Sequence, residues 1–167
     1  MKKVLMLFIS CSLFLSVSAQ GTQEDKPVYL RFPTIPTFTV YKAPDSTVFH
    51  RTNLQRNKPT IFMVFSPECS HCQHETSEII KNIDKFKNAQ ILMVTYLPYN
   101  EMLQFYKDYK LYRYRNITVA RDASFFFPQF FRVRNFPSFY VYDKKGNFKK
   151  FFEGAVPINE VSDALKL

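Results

Sequence analysis

Apolar positions along the chain switch repeatedly between two periods. Ile61-Phe62-Met63-Val64-Phe65 is a continuous apolar run, the pattern of a strand covered on both faces. Beyond it, Ile79, Ile80, Ile83 and Phe86 share one helical face with Cys72. A strand over Thr60–Phe65 therefore hands over to a helix running to about Lys87. Glu75 and Glu78 lie early in that helix and Lys81, Lys85 and Lys87 late, the order its dipole favours. Ile91–Leu97 is a second apolar strand, and Met102, Phe105, Tyr106 and Tyr109 place a helix over Tyr99–Leu111. Ile117–Ala120 reads as a short strand and Ser124–Val133 as a helix bent around Pro128. The strand Ser138–Tyr142, the turn Asp143-Lys144-Lys145-Gly146 and the strand Phe148–Phe152 make a hairpin, and Ile158–Leu167 is a closing helix. Upstream, Thr37–Tyr41 and Thr47–His50 form another hairpin across Ala43-Pro44-Asp45-Ser46, with the polar connection Arg51–Lys58 after it. Residues 20–35, punctuated by Pro27 and Pro33, read as an extended arm with an edge strand at Val28–Phe32.

The first nineteen residues change this picture. Lys2 and Lys3, the apolar stretch Val4–Val17 and the small residues Val17-Ser18-Ala19 have the form of a signal peptide cleaved after Ala19. The apolar run is shorter than the roughly 20 residues that span a bilayer. Cleavage leaves 148 of 167 residues, enough for one domain with its own core. It also removes Cys11, so the exported chain keeps two cysteines, Cys69 and Cys72. Loss of Lys2 and Lys3 lowers the formal charge from +9 to +7. For an exported protein that balance reads as a soluble basic surface and not as a nucleic-acid site. The basic–aromatic run Tyr96–Arg115 is read the same way, as an amphipathic helix with solvated lysines. Nineteen Phe and no Trp predict a core filled largely by phenylalanine.

The candidate chemistry lies at Cys69-Ser70-His71-Cys72, where the strand becomes the helix. The first turn of a helix offers free N–H groups and the positive end of its dipole, which stabilise a thiolate. A two-residue gap closes too small a loop to stabilise the fold by chain entropy, so the pair points to chemistry. Cys69, the first and more exposed thiol, is the candidate nucleophile, and Cys72 resolves the mixed disulfide. His71, as imidazolium, would favour the Cys69 thiolate. Glu75, one turn after Cys72, reads from sequence alone as a first-turn glutamate serving the dipole. Cys69, His71, Cys72 and His74 also compose a Cys-x-His-Cys-x-His set, the alternative of copper or zinc handling. Four ligands on one helix start rarely close a tetrahedron. Haem attachment would need histidine where Gln73 stands.

This order of elements is similar to thioredoxin-fold proteins. The added N-terminal hairpin and helix–strand insert resemble the exported thioredoxin-like reductases of the TlpA/ResA type, over residues 36–167. The telling pieces are Pro67-Glu68-Cys69-Ser70-His71-Cys72, Glu75, Val133-Arg134-Asn135-Phe136-Pro137 and Tyr142-Asp143-Lys144-Lys145-Gly146-Asn147. The resemblance implies an α/β, three-layer fold, a central mixed sheet flanked by helices. It implies a Cys69–Cys72 disulfide faced by a cis Pro137, with Phe136 and Pro137 binding substrate backbone. It also assigns Glu75 the role of a buried base for Cys72. Two positions depart from the pattern. Glu68 stands where a tryptophan is usual, and Met63 where cytosolic thioredoxins bury an aspartate.

The implied function is a monomeric thiol–disulfide oxidoreductase in the periplasm or cell envelope of a bacterium. Its partners would be protein disulfides or dithiols and an upstream thiol donor. No cofactor, no nucleic acid and no membrane span after cleavage are expected. A non-catalytic binding module of the same fold is the competing class. Direction stays open at this stage: His71 argues for oxidation, Glu75 and the resemblance for reduction.

Overall fold

The strand that leads to the cysteines is buried along its whole length. β3 (Thr60–Val64) pairs in parallel with β4 (Gln90–Thr95) on one side and antiparallel with β6 (Ser138–Tyr142) on the other. The computed structural model describes residues 26–167. The expected signal peptide, Cys11 and the start of the arm lie outside the described residues. β1 (Thr39–Lys42) and β2 (Val48–His50) form the N-terminal hairpin, β5 (Ile117–Arg121) continues the parallel part, and β7 (Phe148–Glu153) pairs with β6. The seven strands run in the order β2-β1-β5-β4-β3-β6-β7.

Side-chain alternation along β3 sorts the two faces. Ile61 and Met63 enter a core shared with α2 (Ser70–Lys81), α3 (Tyr99–Asp108) and α5 (Ile158–Asp163). Phe62 and Val64 enter a second core with α1 (Val28–Arg31) and α4 (Phe126–Phe131). The layers are helices, sheet, helices, with the hairpin β1–β2 and the insert α3–β5 in the places the resemblance implies. The second core is aromatic, as the phenylalanine count predicts. Phe131 stacks on Tyr140 with ring centroids 3.8 Å apart, and Phe62 meets Phe38, Phe127 and Tyr142 edge-on or tilted. Met63, fully buried in the first core, fills with thioether the place of a carboxylate.

Three elements differ from the sequence expectation. Val28–Arg31 is a helical turn and not an edge strand. The Leu30 and Arg31 N–H groups both donate to the Pro27 carbonyl, and the turn plants Tyr29 against Phe131, Tyr140 and Phe148. The ring anchors the turn, and the chain after it is tied to the β6–β7 turn by the Ile35 N–H on the Gly146 carbonyl and the Phe148 N–H on the Pro33 carbonyl. The helix after the cysteines stops at Lys81, short of Lys87. The Asn82 side chain donates to the Glu78 carbonyl at 2.9 Å, and a 3-10 turn over Ile83–Phe86 then buries Phe86. α4 runs from Phe126 to Phe131, shorter than expected at both ends. Pro128 sits in its first turn, where a missing N–H costs nothing.

α4 is held at its start by Asp122, a buried carboxylate the sequence did not flag. Its Oδ2 accepts from the Phe127 N–H at 2.7 Å, and its Oδ1 accepts from the Ser124 N–H and hydroxyl. Asp122→Ala strands the buried Phe127 N–H, while exposed Ser124 can turn to water, so we expect a stability loss of about 1–2 kcal/mol in urea unfolding. A loss under 0.5 kcal/mol would show that the carboxylate does not brace α4.

Candidate active site

Five buried residues of β3 aim the chain at the start of α2, and Cys69 is the residue that caps that helix. The buried positions of α2 are Cys72, Glu75, Thr76 and Ile79, one stripe at helical spacing. That stripe separates the two cysteines. Cys69 lies off it and is partly exposed, whereas Cys72 has no exposed surface. Both are thiols in the structure. Burial, above all, pushes the Cys72 thiol well above the ordinary thiol range. Its contact with Cys69 and the charge of Glu75 push the same way, and the Ser66 backbone N–H opposes them.

The opposing wall is the loop before β6. The Cys69 thiol donates to the Phe136 carbonyl at 3.7 Å, a contact across 67 residues of sequence. The Phe136–Pro137 peptide is cis, as is Ala43–Pro44. Glu153, at the end of β7, fixes this loop: one carboxylate oxygen accepts from the Arg134 N–H at 3.2 Å and the Asn135 N–H at 3.1 Å. The Gly154 N–H donates to the Pro137 carbonyl at 2.8 Å. Beside Phe136, Tyr96 lies 6.1 Å from its ring and 4.8 Å from the ring of exposed Phe125. On the other side of Cys69, a cavity of about 440 Å³ is lined by Pro67, Glu68, Glu101, Phe105 and Tyr109. Glu68 is exposed, so the usual tryptophan is replaced here by a carboxylate in solvent.

Glu75 is buried at 2% exposure. Its Oε1 accepts from the Val156 N–H at 3.2 Å, and its Oε2 has no partner. Burial raises its pKa, and the Val156 N–H, followed by the charge of His74, opposes the shift. A first-turn glutamate serving only the dipole would face solvent, and this one does not. His71 and His74 are both exposed. Among the described residues no three His, Cys, Asp or Glu side chains are arranged to hold a metal ion. Cys72 turns into the core while both histidines turn out, so the Cys-x-His-Cys-x-His set does not converge.

Sequence reasoning missed Glu153, Gln73 and the placement of Tyr96 and Phe125 beside Phe136. Gln73 donates to the Pro67 carbonyl at 2.9 Å and ties the loop before Cys69 to α2. Its place within the motif was the available signal. Nothing local marks Glu153, whose role comes from strand pairing.

A Cys-x-x-Cys pair at a strand-to-helix junction, faced by a cis-proline loop in a mixed sheet, is the layout of a thioredoxin-like protein. The chain belongs to that family: the family model for the thioredoxin-like domain matches residues 50–167. A search of curated proteins finds no match. Solved structures share the fold. One is a secreted disulfide oxidoreductase of Mycobacterium tuberculosis homologous to E. coli DsbE. It is 20% identical, with TM-score 0.64 over 77% of this chain and 94% of that one. DsbF of the same organism is 21% identical, with TM-score 0.66 over 80% and 98%. The exposed lipoprotein thioredoxin Etrx1 of Streptococcus pneumoniae is 22% identical, with TM-score 0.59 over 78% and 98%. Among the described residues no helix is long and apolar enough to cross a membrane.

Proposed function

We propose that the protein is a monomeric thiol–disulfide oxidoreductase, exported to the periplasm or envelope, that reduces disulfides of other proteins through Cys69 and Cys72. The observation that carries this reading is the asymmetry of the pair. Cys69 is reachable at the cap of α2, and Cys72 is sealed beneath it with its thiol held protonated by burial. The secreted and surface-exposed neighbours of the same fold support the location.

The Cys69 thiolate attacks one sulfur of a substrate disulfide. The substrate S–S bond breaks, its second sulfur leaves as a thiolate and is protonated, and Cys69 holds the first in a mixed disulfide. Cys72 then gives its proton to Glu75 and attacks the Cys69 sulfur. The Cys69–Cys72 disulfide forms and the substrate leaves as a dithiol, two electrons richer. An upstream thiol donor returns the pair to its reduced state. Extended substrate backbone lies along the Phe136–Pro137 loop, whose carbonyl already faces Cys69. The domain boundaries that suit this reading are a signal peptide over 1–19, an arm over 20–35 and the thioredoxin-like domain over 36–167.

In this reading the buried Glu75 and the resemblance carry the reducing direction, and the exposed His71 is given no part in it. Insulin reduction by dithiothreitol tests the proposal against a binding-only module. The protein should accelerate it at least tenfold over dithiothreitol alone. A rate at the dithiothreitol background would remove the enzyme reading.

A further inference from the structure

A broad concave site lies at the opposite end of the sheet from Cys69. β3 runs from Thr60 toward the cysteines, and Thr60 is paired with Gln90 on β4 and with Tyr142 on β6. Residues just before Thr60 and just after Tyr142 are therefore on the far side from the redox pair. There a cavity of about 600 Å³ is flanked by Arg51, Arg56, Lys58, Lys144 and Lys145. Its size is that of a site for a small organic ligand or a headgroup. No carboxylate lines it, and none of the five cations belongs to an ion pair among the described residues. The nearest acid in sequence, Asp143, is spent on its own turn: it accepts from the Lys145 and Asn147 N–H groups and the Asn147 amide.

The cavity is also built and held. Gln90, buried at 8% exposure, clasps the loop that carries the cations. Its Oε1 accepts from the Gln55 N–H at 2.8 Å, and its Nε2 reaches the Gln55 carbonyl, the Lys58 carbonyl and the Thr60 hydroxyl. The Lys58 ammonium donates to the Gln55 side chain at 3.1 Å. The Arg51–Lys58 loop is thus pinned as an arc facing the Lys144–Lys145 turn. Five like charges around one concavity repel one another, and an anion between them relieves that repulsion. The guanidinium forks of Arg51 and Arg56 suit the paired oxygens of a phosphoryl group.

We propose that this cavity is an anion site for a multiply charged phosphoryl group, carried by a soluble phosphate compound or by a phospholipid headgroup. Its position leaves the cysteine face free while the anion is bound. The test is titration of the isotope-labelled full domain by NMR, first with inorganic pyrophosphate, then with vesicles of phosphatidylglycerol and phosphatidylcholine against phosphatidylcholine alone. The triple variant Arg56→Gln, Lys144→Gln, Lys145→Gln is the control. All three side chains are exposed, and insulin reduction by this variant should equal wild type, which separates this proposal from the redox reading. Saturable, one-to-one pyrophosphate binding is expected, with shifts confined to residues 51–58 and 143–147 and affinity at least tenfold weaker in the variant. Such binding without vesicle binding supports a soluble ligand. Vesicle binding that needs phosphatidylglycerol and is lost in the variant supports a headgroup. Shifts spread over many lysines, equal affinity in the variant, or no binding in either arm would overturn the proposal.

Discussion

Cys72→Ser is expected to accumulate a covalent mixed disulfide between Cys69 and a protein substrate, while Cys69→Ser accumulates none and loses turnover entirely. The expectation follows from burial and not from the motif alone. Cys72 has no exposed surface and a thiol pushed far upward by its dry surroundings, so it cannot begin the reaction at neutral pH. Cys69 is partly exposed, caps α2 and lies against the Phe136 carbonyl. Removing the resolving sulfur leaves the first step intact and blocks the second. Non-reducing gels of each variant mixed with reduced and re-oxidised insulin would show it. Equal trapping in both variants, or trapping only through Cys72, would reverse the assigned roles.

Glu75→Gln should slow resolution of the mixed disulfide by about a hundredfold, the lower range for loss of a positioned base. In wild type the rate of that step should rise with pH as the Glu75 carboxyl loses its proton, above the ordinary glutamate range because burial raises its pKa. The glutamine variant should lack that rise. Stability should move the other way. A carboxyl whose folded pKa is raised contributes its full stability below the unfolded value of about 4.3 and loses it as pH climbs through the folded value. Wild type should therefore weaken between pH 4 and pH 8 relative to Glu75→Gln, which carries no charge to bury. Urea unfolding at both pH values measures the difference, and stopped-flow quenching measures the rate. An unchanged resolution rate with the predicted stability gain would leave Glu75 a buried liability and not a base.

Much of this site was legible because its parts are local. The apolar run ending at Phe65, the cysteine spacing and the face shared by Cys72 and Ile79 all fall within twenty residues, and the hairpin turn at Gly146 has its own chemistry. The resemblance extended that reading to Pro137, far away in sequence. What stayed hidden was long-range or specific to one side chain. Glu153 reaches the Arg134–Asn135 backbone only because β7 pairs with β6. Asp122 looks like a loop residue until its carboxylate meets Phe127 N–H. A single helical turn around Tyr29 carries no periodicity long enough to count, and the prolines beside it suggest extension. The end of α2 at Asn82 rests on one side-chain hydrogen bond to Glu78, which a hydrophobic pattern does not record.

The central claim is that Cys69 and Cys72 form one reversible two-electron couple with reducing character. Equilibrating the full domain in graded ratios of reduced to oxidised glutathione, then counting free thiols by alkylation and mass, tests it most directly. The account predicts loss of two thiols together, an intramolecular Cys69–Cys72 disulfide, and a midpoint below about −230 mV, on the thioredoxin side of the glutaredoxins. Independent titration of the two thiols, or no internal disulfide at any ratio, would contradict the couple. A midpoint above about −180 mV would contradict its direction.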